Sequence, residues 1–283
     1  MMLLEWLKAV LYGIVEGITE WLPVSSTGHL ILLQDWLPFR FTEDARLLAE
    51  FGEMFEVVIQ LGAILAVVVL FFGKLNPFAP SKTAEQKKGT WSLWFKVIVA
   101  IIPSGVIGIL LDDWFNEHFY NYLVVAIALI VYGIAFIVIE KVRKPQNTVV
   151  DTTDKISYKD ALLIGAFQTL AIIPGTSRSG STILGAMLFG LSRTAAAEFS
   201  FFMAIPTMLG ASAVKVLKFV ADGATVSANE WIILAVGCAV AFVVSLVAIK
   251  YLMDYVKRHS FSAFGVYRIV LGALVIGYFL IRG

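Results

Sequence analysis

The chain has little charge: only 15% of its 283 residues are charged, whereas 59% are hydrophobic. A water-soluble domain of this length carries more charge, so the composition predicts that the lipid bilayer is its solvent. The net charge is only +1, and the basic residues fall in short loops. A nucleic-acid partner is therefore not expected, because it requires a concentrated basic surface.

Cysteine is nearly absent. The single cysteine, Cys238, lies in an apolar run, which excludes an internal disulfide and argues against a cysteine-ligated metal cluster. The start of the chain lacks a basic segment and a small-residue cleavage site, and Glu5 and Lys8 interrupt its first apolar stretch. This pattern is not typical of a removed signal peptide.

Six apolar runs are long enough to cross a hydrocarbon layer of about 30 Å as helices. They comprise residues 54–72, 97–111, 122–139, 198–217, 231–249 and 263–281. Two further apolar regions, residues 3–37 and 158–191, are interrupted by polar segments. The run after each interruption has about 11 residues, which enters a bilayer without crossing it. We therefore predict two re-entrant hairpins whose non-helical backbone faces protein or a wet cavity.

Loop charges predict the orientation of the chain. Basic residues concentrate in loop 74–96, in loop 141–159 and around Lys250, and these are expected on the cytoplasmic side. The segments around Glu43, Asp112 and Asp222 are acidic or poor in lysine. They alternate with the basic loops and are expected outside, as are both termini.

The order of hairpin then span occurs twice, over residues 3–73 and 158–217, within a single expected membrane domain of residues 1–283. By the loop charges the first unit starts outside and the second inside, which predicts an inverted repeat whose loop tips meet near the midplane. The predicted fold is an all-α polytopic membrane protein with six transmembrane helices and two re-entrant helical hairpins. Matching positions are Pro23 and Pro174, Ser25 and Ser177, Glu16 and Gln168, and Glu56 and Glu198, the last two each opening a span.

Charged side chains cluster in the two interruptions, and such groups are costly at bilayer depth unless paired or solvated. Glu16 and Glu20 are four residues apart, so on a helix both carboxylates point to one side. Arg178 stands between two serines of the second interruption, and its planar fork of donors suits an anion. Two simpler interpretations remain open: acids solvated at a helix end, and an arginine paired with a glutamate for structure alone.

Hydroxyl groups accompany these charges. The segment Ser25-Ser26-Thr27-Gly28 follows Pro23 where a helix opens, and the N–H groups and positive dipole end of a helix start suit a phosphate. An ordinary helix cap is the alternative. His29 lies three residues after Ser26, so the two side chains can approach each other as an acid–base pair for attack on phosphorus.

Polar and charged residues outside the interruptions are expected to have secondary roles. Glu56, Gln60 and Glu198 lie in spans, where they can line the cavity or join helices. Arg193, Arg268 and Lys218 are expected to extend their side chains to a membrane interface.

Three segments carry a resemblance to a known family: Glu16-Gly-Ile-Thr-Glu20, Pro23-Val-Ser-Ser-Thr-Gly-His29 and Pro174-Gly-Thr-Ser-Arg-Ser-Gly-Ser-Thr182. Over essentially its full length, the chain resembles the bacitracin-resistance family of undecaprenyl-diphosphate phosphatases. The resemblance implies removal of the terminal phosphate of undecaprenyl diphosphate, which recycles the lipid carrier of peptidoglycan synthesis and confers bacitracin resistance. It also implies a homodimer among the lipids of the bacterial inner membrane, with an active site that faces the periplasm or exterior and a divalent cation, Mg²⁺ or Ca²⁺.

The resemblance further implies residue roles. Ser26 matches the proposed nucleophile, His29 its acid–base partner and Arg178 the phosphate clamp, while the glutamates that match Glu16 and Glu20 are required. By their oxygen chemistry the two glutamates would bind the cation or orient His29, and a water activated by His29 is an alternative nucleophile. Further phosphate contacts are expected from Ser25, Thr27, Gly28, Ser177, Ser179 and Thr182.

A transporter is the main alternative function, because inverted repeats with broken helices also build the substrate sites of secondary carriers. A scaffold for cell-wall assembly is a third, although it would leave a buried arginine and buried glutamates unexplained. Release of inorganic phosphate from a lipid diphosphate distinguishes the enzyme from both.

Overall fold

The computed structural model describes residues 2–143, 150–221, 223 and 227–282, and it is helical apart from short connections. The description does not cover part of the predicted basic loop 141–159, nor Asp222, which was expected on the outer side of the membrane, nor the side chain of Asp112. The described helices are α1 (Met2–Thr19), α2 (Ser26–Trp36), α3 (Ala45–Leu70), α4 (Phe72–Leu75), α5 (Ala84–Phe119), α6 (Tyr122–Val142), α7 (Tyr158–Thr169), α8 (Arg178–Leu188), α9 (Arg193–Ala221), α10 (Ala228–Val256) and α11 (Ser262–Arg282).

Six of these helices, α3, α5, α6, α9, α10 and α11, are long and apolar enough to cross a membrane. They confirm the six predicted spans and a multi-pass membrane protein. Several helices begin well before the apolar run that predicted them, because their first turns are polar. In α3, for example, Arg46 and Glu50 pair at 2.5 Å, and Glu56 therefore lies inside the helix rather than at its start.

Two short helices follow breaks in the chain. The first break separates α1 from α2, and the second separates α7 from α8, with a 3₁₀ turn at Leu170–Ile172. Helices α2 and α8 each contain 11 residues, a length of roughly 16 Å that is about half of a bilayer core. Their lengths agree with the short runs from which the sequence predicted re-entrant segments.

The two breaks share one backbone conformation. Ser25 and Ser177 both have a φ of 72°, a region that side chains disfavour at a cost of order 1–3 kcal/mol. Each serine also caps the helix that follows: Ser25 Oγ accepts a hydrogen bond from Gly28 N at 3.3 Å, and Ser177 Oγ accepts one from Gly180 N at 3.1 Å. The match of these serines in sequence is thus a match in conformation and capping.

Helix packing is reciprocal between the two halves of the chain. Helix α10 packs against α1 and α3 as α5 packs against α7 and α9. Helices α6 and α11 cross at Gly133 and Gly265, where a Cβ on either glycine would lie 2.6 Å from the carbonyl oxygen of the other. The matching packing therefore extends beyond the predicted units 3–73 and 158–217. It adds helices α5 and α6 to the first half of the chain and helices α10 and α11 to the second half.

Glycine permits the closest helix contacts. A Cβ on Gly62 would lie 2.0 Å from the carbonyl oxygen of Cys238, and one on Gly165 would lie 1.8 Å from that of Ala100. These contacts join α3 to α10 and α7 to α5. Of these four helices, α7 ends at the second break, so its contact with α5 fixes the position of the helix that leads into that break.

Candidate active site at the junction of two helix breaks

Side chains from the two breaks form one hydrogen-bonded chain. Ser26 Oγ donates to Glu20 Oε2 at 3.0 Å, and Glu20 Oε1 accepts from Arg178 Nη2 at 2.9 Å. The side chains of Glu20 and Arg178 are only 6% and 11% exposed. The structure thus brings together the carboxylate of the first break and the guanidinium of the second, as the repeat predicted.

Arg178 is fixed from several sides but keeps an unused donor. Its Nη1 donates to the carbonyl oxygen of Ser200 at 2.7 Å. Its guanidinium lies over the Trp21 ring, 5.7 Å from the ring centroid. Its Nε is buried without a hydrogen-bond partner in the described part of the chain. A fixed guanidinium with a free donor is suited to an anion.

Glu16 lies beside this chain and is fully buried. Both of its carboxyl oxygens lack a hydrogen-bond partner among the described residues, and Glu20, Glu56 and Arg178 lie within electrostatic reach. A buried carboxyl group without partners requires a proton, a water or a cation.

The donor chemistry of Glu16 and Glu20 fits a hard divalent cation, because Mg²⁺ and Ca²⁺ prefer oxygen ligands. Within the described ranges, no group of three or more His, Cys, Asp or Glu side chains could share an ion. A cation held here would therefore complete its shell with water and phosphate oxygens, which is the usual arrangement for Mg²⁺.

The ring nitrogens of His29 bond to groups other than Ser26, so the predicted Ser26–His29 pair stays a prediction. Nδ1 of His29 lies 2.7 Å from the carbonyl oxygen of Ser25, and its Nε2 lies 2.7 Å from the hydroxyl of Tyr267. Because a carbonyl only accepts, Nδ1 carries a proton, and when the ring is neutral Nε2 accepts from the hydroxyl of Tyr267. The rotation of α2 turns His29 towards α11, whereas the hydroxyl of Ser26 turns back to Glu20.

Several predicted phosphate ligands of the second break bond to other protein groups. Ser179 Oγ donates to the backbone oxygen of Glu20 at 3.0 Å and lies 3.2 Å from Ser177 Oγ. Thr182 Oγ1 lies 2.5 Å from Ser200 Oγ. These contacts fix the second break against the first and against α9.

In the first break, the N–H of Gly28 is used by the cap of Ser25, and Thr27 is half-buried at the start of α2. Both residues follow Ser26 in the first turn of α2. A direct contact of Ser25, Thr27, Gly28, Ser177, Ser179 or Thr182 with phosphate stays a prediction.

The two accessory glutamates differ in their partners, and Glu56 lies within electrostatic reach of Glu16. Glu56 accepts a hydrogen bond from Gln34 and lines a cavity of about 380 Å³. This cavity is bounded by residues of α1, α2 and α3, including Tyr12 and Glu53. Glu198 instead pairs with Lys74 at 2.7 Å.

Arg268 was wrongly predicted to reach an interface, because it is completely buried. It is the seventh residue of the 21-residue helix α11, and that interior position in a span is a signal that could have indicated its burial. Ser200, which binds Arg178, was also missed, since a lone serine in an apolar helix carries no distinctive pattern. Arg193, at the start of α9, pairs with Glu140 at 2.6 Å.

Comparisons with known proteins cover nearly the whole chain. A family model described as "Bacitracin resistance protein BacA" matches residues 9–274. A protein of Enterococcus faecalis named "Undecaprenyl-diphosphatase" is 57% identical over 273 residues, which is 96% of this chain and 97% of that protein. Proteins of the same name from Streptococcus pyogenes serotypes M4 and M2 are each 56% identical over 278 residues, 98% of both chains.

Proposed function

Because the chain belongs to the bacitracin resistance protein BacA family, we propose that it hydrolyses undecaprenyl diphosphate to undecaprenyl phosphate and inorganic phosphate. One observation carries this proposal: the chain of hydrogen bonds from Ser26 through Glu20 to Arg178. It joins a hydroxyl, a proton acceptor and an anion-binding group in a nearly buried junction. The reaction recycles the lipid carrier of peptidoglycan synthesis and accounts for bacitracin resistance.

The geometry supports attack by Ser26 on the terminal phosphorus. The proton of the Ser26 hydroxyl passes to Glu20 Oε2 as the Oγ–P bond forms. The bond between phosphorus and the bridging oxygen breaks, and undecaprenyl phosphate leaves. Water then attacks the phosphorus of the phosphoserine, the Oγ–P bond breaks, and Glu20 returns its proton to Ser26 Oγ as inorganic phosphate leaves. A water activated by Glu20 is the alternative nucleophile, and it would need the same acceptor.

Arg178 stabilises the charge that spreads over the phosphoryl oxygens, because its unused Nε–H is fixed before the substrate arrives. A divalent cation held by Glu16 and Glu20 would supply further neutralisation of the phosphate oxygens. His29 binds the backbone of Ser25 and so holds the break in its conformation.

The same proposal includes a location and an arrangement. The loop charges support an inner-membrane protein with the Glu56 cavity open to the outside, which lets the diphosphate enter while its tail stays among membrane lipids. The shared conformation of the two breaks and the reciprocal packing support an inverted repeat with two re-entrant hairpins. The family resemblance supports a homodimer, and light scattering of the purified protein measures its mass.

Phosphate release by the purified protein tests the function. We expect one inorganic phosphate per undecaprenyl diphosphate in detergent, and the same activity in a Lys257→Ala variant, whose exposed pair with Asp254 lies outside the site. In sealed vesicles, movement of the lipid diphosphate across the membrane without any phosphate release would instead support the transporter.

A further inference from the structure

Arg268 is a completely buried arginine whose hydrogen bonds go to main-chain carbonyl groups. Its Nη1 donates to the oxygen of Pro23 at 3.2 Å, and its Nη2 donates to the oxygens of Gly175 and Thr176, both at 2.9 Å. The guanidinium also lies over the ring of Tyr132, 5.4 Å from its centroid. Burying this charge is expensive, so the carbonyl groups that it binds require an explanation.

These carbonyl groups belong to both helix breaks. Pro23 precedes the capping residue Ser25 of the first break, and Gly175 and Thr176 precede the capping residue Ser177 of the second. Both serines have the disfavoured φ of 72°. Arg268 of α11 therefore binds the backbone of both breaks. It is not a member of the hydrogen-bonded chain formed by Ser26, Glu20 and Arg178.

Packing alone does not require an arginine at this position. At the crossing of α6 and α11, a Cβ on Gly133 would lie 3.2 Å from Cβ of Arg268, and a Cβ on Gly265 would lie 3.3 Å from Cβ of Phe136. Phe136 is thus the counterpart of Arg268 in the reciprocal packing, and it is also fully buried. Phe136 fills one side of the crossing and Arg268 fills the other. Of these two side chains, only the guanidinium can donate hydrogen bonds to both breaks at once.

We propose that Arg268 is a positioning residue of the phosphatase reaction. It fixes the two breaks relative to each other, so that Ser26 and Glu20 of one break and Arg178 of the other meet the same phosphoryl group. This inference rests on the proposed function. Gly180 fits the arrangement, because a Cβ there would lie 3.0 Å from Nη1 of Arg268.

Arg268→Lys and Arg268→Met test the proposal, with Phe136→Leu as the matched control at the same crossing. Lysine keeps the charge but cannot bind both breaks with a single ammonium group. We expect both Arg268 variants to lose about 100-fold in kcat/KM, the order of effect of an ångström-scale misplacement of reacting groups. Phe136→Leu should lower the melting temperature, because it shortens a fully buried side chain, but its kcat/KM should stay within about threefold of wild type, because it leaves the joined carbonyls in place.

Binding of a non-hydrolysable methylene-bridged analogue of undecaprenyl diphosphate separates positioning from loss of stability. In the Phe136→Leu background, Arg178→Ala should weaken analogue binding by the same factor as in wild type. In the Arg268→Met background it should weaken binding by much less, since Arg178 is no longer aligned with the first break.

The outcomes distinguish the two proposals. A wild-type protein that binds no analogue and releases no phosphate overturns the proposed function itself. An active wild type with Arg268→Lys at wild-type kcat/KM, or with equal Arg178→Ala penalties in all backgrounds, overturns the positioning role alone. Failure of both Arg268 variants to fold while Phe136→Leu folds also overturns it, since Arg268 would then hold the fold as a whole.

Discussion

Substituting Glu20 by glutamine separates two ways in which Ser26 could be activated. The family resemblance implies His29 as the acid–base partner, whereas the structure directs the hydroxyl of Ser26 to Glu20 at 3.0 Å. Glutamine preserves the size of the side chain but cannot take up the serine proton. It also leaves Arg178 without the carboxylate that it binds at 2.9 Å.

The expected magnitude follows from these two contacts. Loss of a positioned proton acceptor costs about 10²–10⁴-fold in kcat. Breaking a buried ion pair from one side also costs about 3–5 kcal/mol of stability, and this pair is almost fully buried. The Glu20→Gln variant should therefore be nearly inactive and less thermostable. His29→Gln should lose at most about tenfold in kcat/KM, because His29 supports the backbone of Ser25 and does not contact the reacting hydroxyl.

Phosphate release from undecaprenyl diphosphate in detergent is the assay, with the melting temperature of each variant measured in parallel. Assaying below the lowest melting temperature removes the stability effect from the comparison. If His29→Gln lost as much activity as Glu20→Gln while remaining folded, His29 would be the proton acceptor, and proton transfer from Ser26 to Glu20 would be refuted.

Three further predictions concern the nucleophile, the cation and helix packing. Ser26→Ala should abolish the phosphoserine route and lower kcat at least about 10³-fold, measured by phosphate release; full turnover would exclude that route. If Glu16 and Glu20 hold a cation, EDTA should remove activity and Mg²⁺ or Ca²⁺ should restore it, while Glu16→Gln should need a higher cation concentration for half-maximal rate; an EDTA-insensitive wild type would contradict this role. Gly62→Ala should lower stability by about 1–3 kcal/mol, because its Cβ would lie 2.0 Å from the oxygen of Cys238. Gly105→Ala, with no atom within 4 Å, should not lower the melting temperature, because alanine is the better helix former.

The spans and the breaks could be predicted because both depend on local sequence. The length and hydropathy required of a span are set by the bilayer thickness. Each break is marked in the sequence by a proline and a following serine, Pro23 with Ser25 and Pro174 with Ser177. The repeated order of hairpin and span, together with the loop charges, predicted that the two breaks would meet, and the Glu20–Arg178 pair is present. The helix starts were predicted less well, since the polar first turns are helical without being apolar.

Other contacts at the site depend on helix rotation and on residues distant in sequence. His29 binds Tyr267, which is 238 residues away, and its direction follows from how α2 packs against α11. Arg268 binds backbone carbonyls, which are present at every residue and leave no pattern in the side chains. The burial of an arginine that binds only carbonyl groups can therefore be predicted from the sequence only by the position of that arginine within a span.

The proposed reaction requires both breaks to act on one phosphoryl group, and the kinetics of Glu20→Gln, Arg178→Ala and the double variant test this most directly. Because the two residues form one ion pair across the junction, the double variant should lose little more kcat/KM than the worse single variant. Multiplication of the two single losses in the double variant would contradict a shared site.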